Sequence, residues 1–372
     1  MSRLRILADD LTGALDCAAA FGAGVPVQLG QPTGHGVEAI DIVATATRDV
    51  PVAELPALLS PSVAWLRGGD LAFKKVDSLL RGNTFDEVDW LARQTPAQRL
   101  AFVPAFPAQL RVTEHGQQWW QQADGSRTPV AASIRDSLRS RGWHVETGPL
   151  PPATCAQPVA WLPDVLGDAD LDRIASFALA SGTPWLWCGS AGLAHALVRQ
   201  TTPHVQAHKP APLQTRQQGA ADRGQAMLIS ASHHPVSREQ WRVLRSARGA
   251  HCLHAQDPRS LDTAEADYPM LIDLSSAERL SAAQASRLLQ AQTRAIAAHA
   301  PRPRTLVVVG GDTLLALCQA LGATALRSGV ALQRPGWGCA QLVGGRWDGL
   351  VCHTRSGAFG GPQDLLEVIE SV

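Results

Sequence analysis

The chain lacks both an excess of charge and any long apolar run. Its 33 Lys and Arg residues balance 33 Asp and Glu residues, so the formal net charge is zero. Balanced charge argues against nucleic acid or an anionic membrane as the main partner. No apolar run approaches the about 20 residues that a membrane-spanning helix needs. Asp9 and Asp10 interrupt the first apolar region, which argues against a signal peptide and predicts a cytoplasmic protein.

Cysteine is sparse and scattered along the chain. The seven cysteines stand singly, with no CxxC pair and an odd total: Cys17, Cys155, Cys188, Cys252, Cys318, Cys339 and Cys352. This spacing disfavours a disulfide framework or a zinc knuckle and predicts reduced thiols in the core. The sequence therefore assigns no metal ligands.

Length and apolar patterning predict an α/β protein of two domains, each a largely parallel sheet flanked by helices. At 372 residues, with 45% apolar and 18% charged residues, the chain is long for one core. Short apolar runs alternate with helical patterns such as 84–93 and 171–180, which is typical of parallel sheets. The runs predicted as strands are 4–7, 40–44, 72–74, 100–103, 185–187, 227–229, 270–272, 306–309 and 350–352.

A polar segment rich in proline, glycine and small residues separates the two halves. Residues 206–225 show little periodicity and are typical of a linker. We therefore predict a first domain over residues 1–205 and a second over residues 226–372.

The segment ADDLTGALD, residues 8–16, follows the first predicted strand. Asp9 and Asp10 stand where the strand should end, and a predicted helix opens at Thr12. Ligands of open α/β sheets bind beyond the carboxyl ends of the strands. Carboxylates placed there can hold hydroxyl groups, accept a proton or bind Mg²⁺. One acid is enough to cap a helix, so the pair favours a functional site.

The segment KKVDSLLRGN, residues 74–83, concentrates polar chemistry after another predicted strand. Its candidate binding residues are Lys74, Lys75, Asp77, Ser78 and Arg81. A forked guanidinium and a point-charge ammonium suit a carboxylate or phosphate ligand, and the acid suits a hydroxyl. Arg48, beyond a third strand, is a second candidate anion clamp. Arg111 is either a third clamp or a surface residue, and the PAFPAQ segment before it is predicted to be extended.

Three turns of small residues follow predicted strands in the second half. They read SASHH, GGDT and SGAFGG, and a helix is predicted to begin near Ser237. Glycines let backbone N–H groups approach a phosphate, and a helix N-terminus favours the anion. Three such turns in one domain predict a nucleotide pocket. Its candidate residues are Ser230, Ser232, Gly310, Gly311, Asp312, Thr313, Ser356 and Gly357.

These segments, in this order, resemble the four-carbon acid sugar kinases, the family of D-threonate, D-erythronate and 3-oxo-tetronate kinases. ADDLTGALD resembles the family's ADDFTGATD, KKVDSLLRGN its KKIDSTLRGN, PAFPAQLR its PAFPxxGR and GSAGLAHAL its GSAGLA. In the second half, ISASHHPVSREQ is similar to SGSxSxxTxxQ, GGDT to GG[DE]T and RSGAFG to KSGGFG. The resemblance spans nearly the whole chain, and the order of the segments is more specific than any one of them.

The resemblance implies an N-terminal acid-sugar domain, a C-terminal ATP domain and phosphoryl transfer in the cleft between them. We expect ATP and Mg²⁺ as cofactors and the terminal C4 hydroxyl of a four-carbon acid as the acceptor. The positions that would bind the acid are Asp9, Asp10, Arg48, Lys75, Asp77 and Arg81. Those that would bind ATP are Ser232, Gly310, Gly311, Asp312, Thr313 and Gly357. Asp10 or Asp9 would hold the attacking hydroxyl and accept its proton.

The chain departs from the family pattern at several positions, and four of them concern the predicted site most directly. Leu79 replaces a threonine, Ala231 and Ala358 replace glycines, and Arg355 replaces a lysine. Two alternatives stay open: a kinase of another small hydroxy acid, and a ligand-binding descendant without turnover. A nicotinamide dehydrogenase is disfavoured because no GxGxxG follows the first strand. We expect a small acid and ATP as partners, with a homodimer left open.

Overall fold

The chain divides into two compact units. The computed structural model describes residues 3–34, 38–95, 98–122, 124–130, 132–152, 158–182, 184–205, 225–249, 252–254, 269–276, 278–330 and 336–372. The N-terminal unit comprises Met1–Phe21 and Val27–Lys209, and the C-terminal unit comprises Gly22–Pro26 and Pro210–Val372. The predicted linker over 206–225 lies outside the described residues except for Gln225.

The N-terminal unit contains a parallel sheet and a separate, small antiparallel sheet. Its strands are β1 (Leu4–Ala8), β2 (Pro26–Leu29), β3 (Ile40–Ala44), β4 (Leu71–Lys75), β5 (Arg99–Val103), β6 (Arg111–Glu114), β7 (Gln117–Gln121), β8 (Arg127–Pro129), β9 (His144–Glu146), β10 (Val159–Trp161) and β11 (Leu186–Gly189). The parallel sheet has the order β2-β3-β1-β4-β11-β5-β10-β9. Strands β6, β7 and β8 form the antiparallel sheet.

Helices of the N-terminal unit pack in two groups. They are α1 (Leu11–Phe21), α2 (Leu55–Arg67), α3 (Thr84–Arg93), α4 (Ile134–Arg139), α5 (Asp168–Ala180) and α6 (Ala191–Val205). Alternate strand residues such as Leu7 and Phe102 form one core with α2, α3 and α4, as the two-residue period of a strand requires. Helix α6 contacts both α1 and α5. The parallel strands of this unit therefore end at one edge, just before the segments predicted to bind a ligand.

The C-terminal unit repeats this plan with an antiparallel extension. Its elements are β12 (Ala226–Ser230), α7 (Pro235–Arg248), β13 (Cys252–His254), β14 (Met270–Asp273), α8 (Ala282–His299), β15 (Thr305–Val309), α9 (Gly311–Leu321), β16 (Ala325–Ser328), β17 (Gly338–Val343), β18 (Val351–Arg355) and α10 (Asp364–Ser371). The strand order is β13-β14-β12-β15-β18-β17-β16, parallel as far as β18 and antiparallel beyond it. Ser328 ties the segment Gly22–Pro26 to this unit, since its hydroxyl accepts from Val25 N at 2.9 Å and donates to Gly22 O at 2.6 Å.

The predicted fold class is confirmed: each unit is a largely parallel sheet with helices, and every predicted strand overlaps an observed one. The helix expected near Ser237 begins earlier, at Pro235, because proline suits the first helical position. The PAFPAQ segment was predicted to be extended, but Pro107–Gln109 forms a short 3₁₀ helix, which the fixed φ of Pro107 permits. Nine of the described strands were not predicted: β2, β6, β7, β8, β9, β10, β13, β16 and β17.

Two further expectations concern cysteines and membrane spans. The described cysteines carry free thiols, and Cys17, Cys188, Cys318, Cys339 and Cys352 are buried. Cys155 lies outside the described residues. None of the helices in the described part of the chain is long and apolar enough to span a membrane.

Two adjacent leucines in α2 test the assignment of the core. Leu59 is fully buried, whereas Leu58 is 39% exposed. We expect Leu59→Ala to lower the free energy of unfolding by about 2–5 kcal/mol, because it removes buried apolar surface and leaves a cavity. Leu58→Ala should cost below about 1 kcal/mol. Urea unfolding followed by tryptophan fluorescence measures both, and equal losses would contradict this packing.

Candidate active site

Arg48 holds the two adjacent acids at the end of β1. Its Nε lies 2.7 Å from Asp9 Oδ2, and its Nη2 lies 3.2 Å from Asp9 Oδ1 and 2.7 Å from Asp10 Oδ1. Asp10 Oδ1 also accepts from Gly13 N at 3.1 Å, so Asp10 caps α1. One guanidinium thus binds both carboxylates, which joins the segment after β3 to the segment after β1.

The charges around Asp9 keep it ionised despite its burial. Burial favours the neutral acid, but Lys74, Arg48 and Lys75 together hold the pKa of Asp9 below its usual value. Burial would lower the pKa of the Arg48 guanidinium, but Asp10 and Asp9 outweigh it and raise that pKa above the usual value. Asp9 is therefore a weak proton acceptor, and its arrangement favours a role in orienting Arg48.

Lys75 fills a space that only glycine leaves open on α1. A Cβ atom at Gly13 would lie 2.6 Å from Lys75 Nζ and 2.6 Å from Asp10 Oδ1. The ammonium donates to Val76 O at 3.0 Å. Burial would lower the pKa of Lys75, but Cys17, Asp10 and Asp9 outweigh it and raise that pKa. The absence of a side chain in the glycine of the ADDLTGALD segment therefore lets a buried cation reach the acids.

Lys74 points into the protein instead of toward a ligand. Its Nζ lies 2.6 Å from Glu87 Oε2 on α3, and both side chains are almost completely buried. Burial is the main reason that the pKa of Glu87 is raised, although Lys74 opposes the shift. Lys74 also contributes to the lowered pKa of Asp9. Lys74 is thus engaged with Glu87 inside the protein, and its predicted contact with substrate stays a prediction.

The loop after β4 is built around Asp77. Its Oδ1 accepts from Leu79 N at 3.1 Å, and its Oδ2 accepts from Arg81 Nε. Burial opposes ionisation of Asp77, but Arg81 and Arg48 lower its pKa. Arg81 remains 56% exposed, so its outer nitrogens can reach a ligand.

Gly82 lets this loop pack directly on the backbone of Arg48. Its φ is +66°, and a Cβ atom there would lie 2.3 Å from Arg48 O. Asn83 completes the contact by donating its side-chain amide to Thr47 O at 3.0 Å and to Val50 O at 2.7 Å. The loop after β4 and the segment carrying Arg48 are therefore held against each other.

Arg111 belongs to the same cluster and is not an isolated surface residue. Its Nη1 donates to Ser78 Oγ at 2.5 Å and to Gln109 Oε1 at 2.6 Å. Burial lowers its pKa, and Asp77 partly offsets that effect. Gln118, a fully buried residue of β7, donates to Ser78 O at 3.1 Å and to Pro104 O at 3.3 Å. The small antiparallel sheet thus brings Arg111 to the loop after β4.

The candidate residues of the second unit converge at one edge of its sheet. Ser230 ends β12, and its hydroxyl accepts from Ser232 N at 3.2 Å. Ser237 donates to Gly357 O at 2.7 Å, which binds the turn after β18 to the start of α7. A Cβ atom at Gly357 would lie 2.1 Å from Ser232 Oγ. The turns after β12 and β18 therefore touch through a glycine.

The turn after β15 leaves a helix N-terminus uncapped. Gly310 occupies the N-cap position of α9 with φ +108°, and no side chain caps the helix. Gly310 N donates to Arg355 O at 2.9 Å, which joins this turn to β18. Thr313 is buried one turn into α9. The first-turn amides of α9 and the positive end of its dipole suit a phosphate.

Arg355 secures the glycine-rich turn after β18. Its fully buried guanidinium pairs with Asp364 and Gln240, donates to Phe359 O at 2.6 Å, and lies 4.7 Å from the Trp337 ring centroid. Gln240 donates to Phe359 O at 3.0 Å and to Gly361 O at 2.9 Å. The arginine that replaces the family's lysine is thus a forked anchor for the turn.

A recess of about 300 Å³ opens beside Ser232 in the C-terminal unit. It is lined by Ser232, Arg238, Trp241, Arg245, Asp273, Ser275 and Ser276. Arg245 lies over the Trp241 ring at 5.5 Å and pairs with Asp273. The recess therefore follows β12 and β14, next to the turn after β15 in the strand order.

Sequence reasoning missed several supporting residues. Glu87, Gln118 and Asp364 are polar residues on helices or strands, and no local motif marks them as partners of the candidate site. Gln240 ends the segment ISASHHPVSREQ, but its contacts with the turn after β18 were not predicted. Among the described residues, no group of three or more His, Cys, Asp or Glu side chains could hold a metal ion. Mg²⁺ is normally held by phosphates, waters and one or two carboxylates, so it does not need such a group.

Two family models match the chain, one in each half. Residues 4–139 match a model described as a sugar-binding N-terminal domain. Residues 267–365 match a model described as a nucleotide-binding C-terminal domain. The acid and cation cluster lies within the first match, and the turns after β15 and β18 lie within the second.

Curated relatives are named kinases of four-carbon acids. The chain is 28% identical over 368 residues to a D-threonate kinase of Cupriavidus necator, covering 86% of each chain. It is 28% identical over 415 residues to a D-threonate kinase of Bordetella bronchiseptica, covering 99% of this chain and 96% of the relative. A 3-oxo-tetronate kinase of Escherichia coli is 33% identical over 127 residues, covering 31% of this chain and 33% of the relative. A Salmonella typhimurium protein shares the fold, with a TM-score of 0.72, 18% identity and 99% of each chain covered.

Two glycines of one turn test the expected ATP site. Gly357→Ala places a Cβ atom against Ser232 and Ser237, whereas a Cβ atom at Gly361 meets open space. We expect Gly357→Ala to raise the Kd for ATP roughly tenfold or more, because the turns after β12 and β18 must separate. Gly361→Ala is the matched control and should bind within about twofold of wild type. Isothermal titration calorimetry measures both, and equal affinities would contradict the site.

Proposed function

Because the chain belongs to the four-carbon acid sugar kinase family, we propose that this sugar-acid kinase transfers the γ-phosphoryl group of ATP to the C4 hydroxyl of a four-carbon aldonate. The observation that carries the proposal is the convergence of three exposed or half-buried cations with paired acids at one sheet edge of the sugar-binding unit. Those cations are Arg48, Arg81 and Arg111. An anionic ligand with several hydroxyl groups satisfies both charge types.

The acid's carboxylate is assigned to the arginines around Asp77. Arg81 is the most exposed of them, and its Nε pairs with Asp77 while its outer nitrogens remain accessible. Arg111 is held toward Ser78. Lys75 adds a buried positive charge close to Asp10. Substrate hydroxyl groups fit the remaining acceptor positions of the Asp10 and Asp77 carboxyl groups, which follow β1 and β4.

The attacking hydroxyl is assigned to Asp10 with Asp9 behind it. Asp10 is half-buried, whereas Asp9 is buried and bound by Arg48 through both oxygens. Arg48 therefore fixes both carboxylates at an angle set by the fold. Phosphoryl transfer depends mainly on such positioning and on charge stabilisation.

ATP fits the turns of the C-terminal unit. Gly310, Gly311 and Thr313 present the uncapped start of α9 to the phosphates, and Ser232 and Gly357 border the same edge. We assign the nucleoside to the recess beside Ser232, where Arg245 offers a planar cation. Asp312 in the first turn of α9 would hold Mg²⁺ together with the phosphates, and the ion would neutralise charge on the transferred group.

Leu79 supports a second candidate substrate class. Its apolar side chain stands where the family motif has a threonine, in the loop that presents Asp77 and Arg81. A hydrophobic residue there offers no hydrogen bond to a substrate hydroxyl. This observation favours, as the alternative, a small hydroxy acid with one hydroxyl fewer or with a methyl group facing Leu79.

The decisive experiment measures ADP release with ATP and Mg²⁺ across a panel of acids. The panel contains D-threonate, D-erythronate, L-threonate, L-erythronate, 3-oxo-tetronate and smaller hydroxy acids. We expect turnover with one four-carbon acid and a loss in kcat on the order of a hundredfold in Asp10→Asn, with a smaller change in KM. Asparagine still caps α1, so this variant should fold. ATP binding without turnover of any acid would instead support the non-catalytic alternative.

Arg81 and Arg93 form a matched pair for testing the acid site. Each pairs with an aspartate four residues earlier, Asp77 and Asp89, but Arg93 lies on α3 outside the cluster. Arg81→Lys loses the forked geometry, so we expect the KM for the acid to rise roughly tenfold while the KM for ATP stays unchanged. Arg93→Lys should leave both constants unchanged. Steady-state kinetics on the accepted acid decides, and a parallel rise in the KM for ATP would remove Arg81 from the acid site.

A further inference from the structure

Asp16 is the third acid of the ADDLTGALD segment, and the site described above does not use it. It lies on α1 with an exposed side chain. It follows Thr12 by four residues and Gly13 by three, so all three share one helix face. Lys75 Nζ packs on that face at Gly13. The helix therefore presents Asp16 beside the cation that reaches Asp10.

Asp16 differs from the other acids of the cluster in being unpaired. Arg48 binds Asp9 and Asp10, and Arg81 binds Asp77. Among the residues that the structure describes, the Asp16 carboxylate has neither a hydrogen bond nor an ion pair. Its lone pairs are therefore available to a ligand.

The surroundings of Asp16 favour proton uptake near neutral pH. Loss of hydration among the surrounding protein atoms, reinforced by Asp10 and opposed by Lys75, raises the pKa of Asp16 to about 6. Solvent still reaches the side chain. A carboxylate of this kind is ionised at neutral pH yet more basic than a solvated aspartate.

The charged groups facing Asp16 come from β4 and from the end of β1, namely Lys75 and Asp10. Helix α6 also packs against α1. Its Arg199 pairs with Asp168 and Asp172 of α5, and burial lowers the pKa of His195. Lys75 and Asp10 thus dominate the electrostatics of Asp16.

We propose that Asp16 is the catalytic base that accepts the proton of the attacking hydroxyl, while Asp10 orients that hydroxyl and Arg48 fixes Asp10. This role rests on the proposed kinase function. In the step, the hydroxyl oxygen forms a bond to the γ-phosphorus of ATP, the bond from that phosphorus to the bridging oxygen breaks, and ADP leaves. The hydroxyl proton passes to a carboxylate oxygen of Asp16 and is later released to solvent.

The test compares Asp16→Asn and Asp16→Glu with wild type on the acid that wild type accepts. Asp136→Asn on α4 is the matched control, because Asp136 is also an exposed helical aspartate with no side-chain partner among the described residues. We expect Asp16→Asn to lose about a hundredfold or more in kcat, with ATP and acid affinities near wild type by calorimetry. Asp16→Glu should recover part of the rate, and Asp136→Asn should match wild type.

The pH profile separates a base from a structural residue. In wild type, kcat should fall as the pH drops through about 6, because a protonated Asp16 cannot accept a proton. Asp16→Asn should lose this acidic limb. A kcat of Asp16→Asn within about threefold of wild type, or an unchanged acidic limb, would overturn the assignment. Absence of turnover by wild type on every acid would instead refute the proposed function, and the role of Asp16 with it.

Discussion

The N-terminal site depends on one guanidinium shared by two adjacent carboxylates. Arg48 follows β3, and Asp9 and Asp10 follow β1, so their ion pairs lock the ends of neighbouring strands together. The contact also sets the charge of the site, because Arg48 helps to keep the buried Asp9 ionised. Removing one partner would leave an uncompensated buried charge. The resulting loss of stability is far larger than the stability that an exposed ion pair contributes. The orientation of the acids is therefore a property of the fold.

Close backbone approach is the second constraint, and both units meet it with glycine. Gly13 leaves room for Lys75, and Gly82 lets the loop after β4 rest on Arg48. In the C-terminal unit, Gly357 lies against Ser232, where any side chain would collide. The replaced positions respect this constraint: Ala358 lies beside Gly357 and not at the contact, and Arg355 anchors its turn through Phe359 O. These two departures from the family pattern thus leave the contact between Gly357 and Ser232 intact.

Much of the fold could be predicted because apolar runs in buried parallel strands are a local signal. The run Ile40–Ala44 and the helix Thr84–Arg93 have the bounds that their patterns predict. The strands β6 and β7 escaped prediction because their sequences, RVTE and QQWWQ, are mostly polar and are stabilised by pairing with each other. The pairs Lys74–Glu87 and Arg355–Asp364 were equally hidden, since nothing in the sequence near either member specifies its partner.

By itself, the sequence determined the two parallel α/β units, the order of the motifs and which segments carry charge or glycine. These follow from periodicity and from the residue types that strand ends and turns require. Only the tertiary structure decided which of those residues share a site and which form ion pairs and hydrogen bonds that support it. It turned Lys74 inward to Glu87, brought Arg111 to Ser78 and left Asp16 unpaired among the described residues. The physical reason is that ion pairing, burial and desolvation depend on distances between segments far apart in sequence, and those distances exist only after the sheet has assembled.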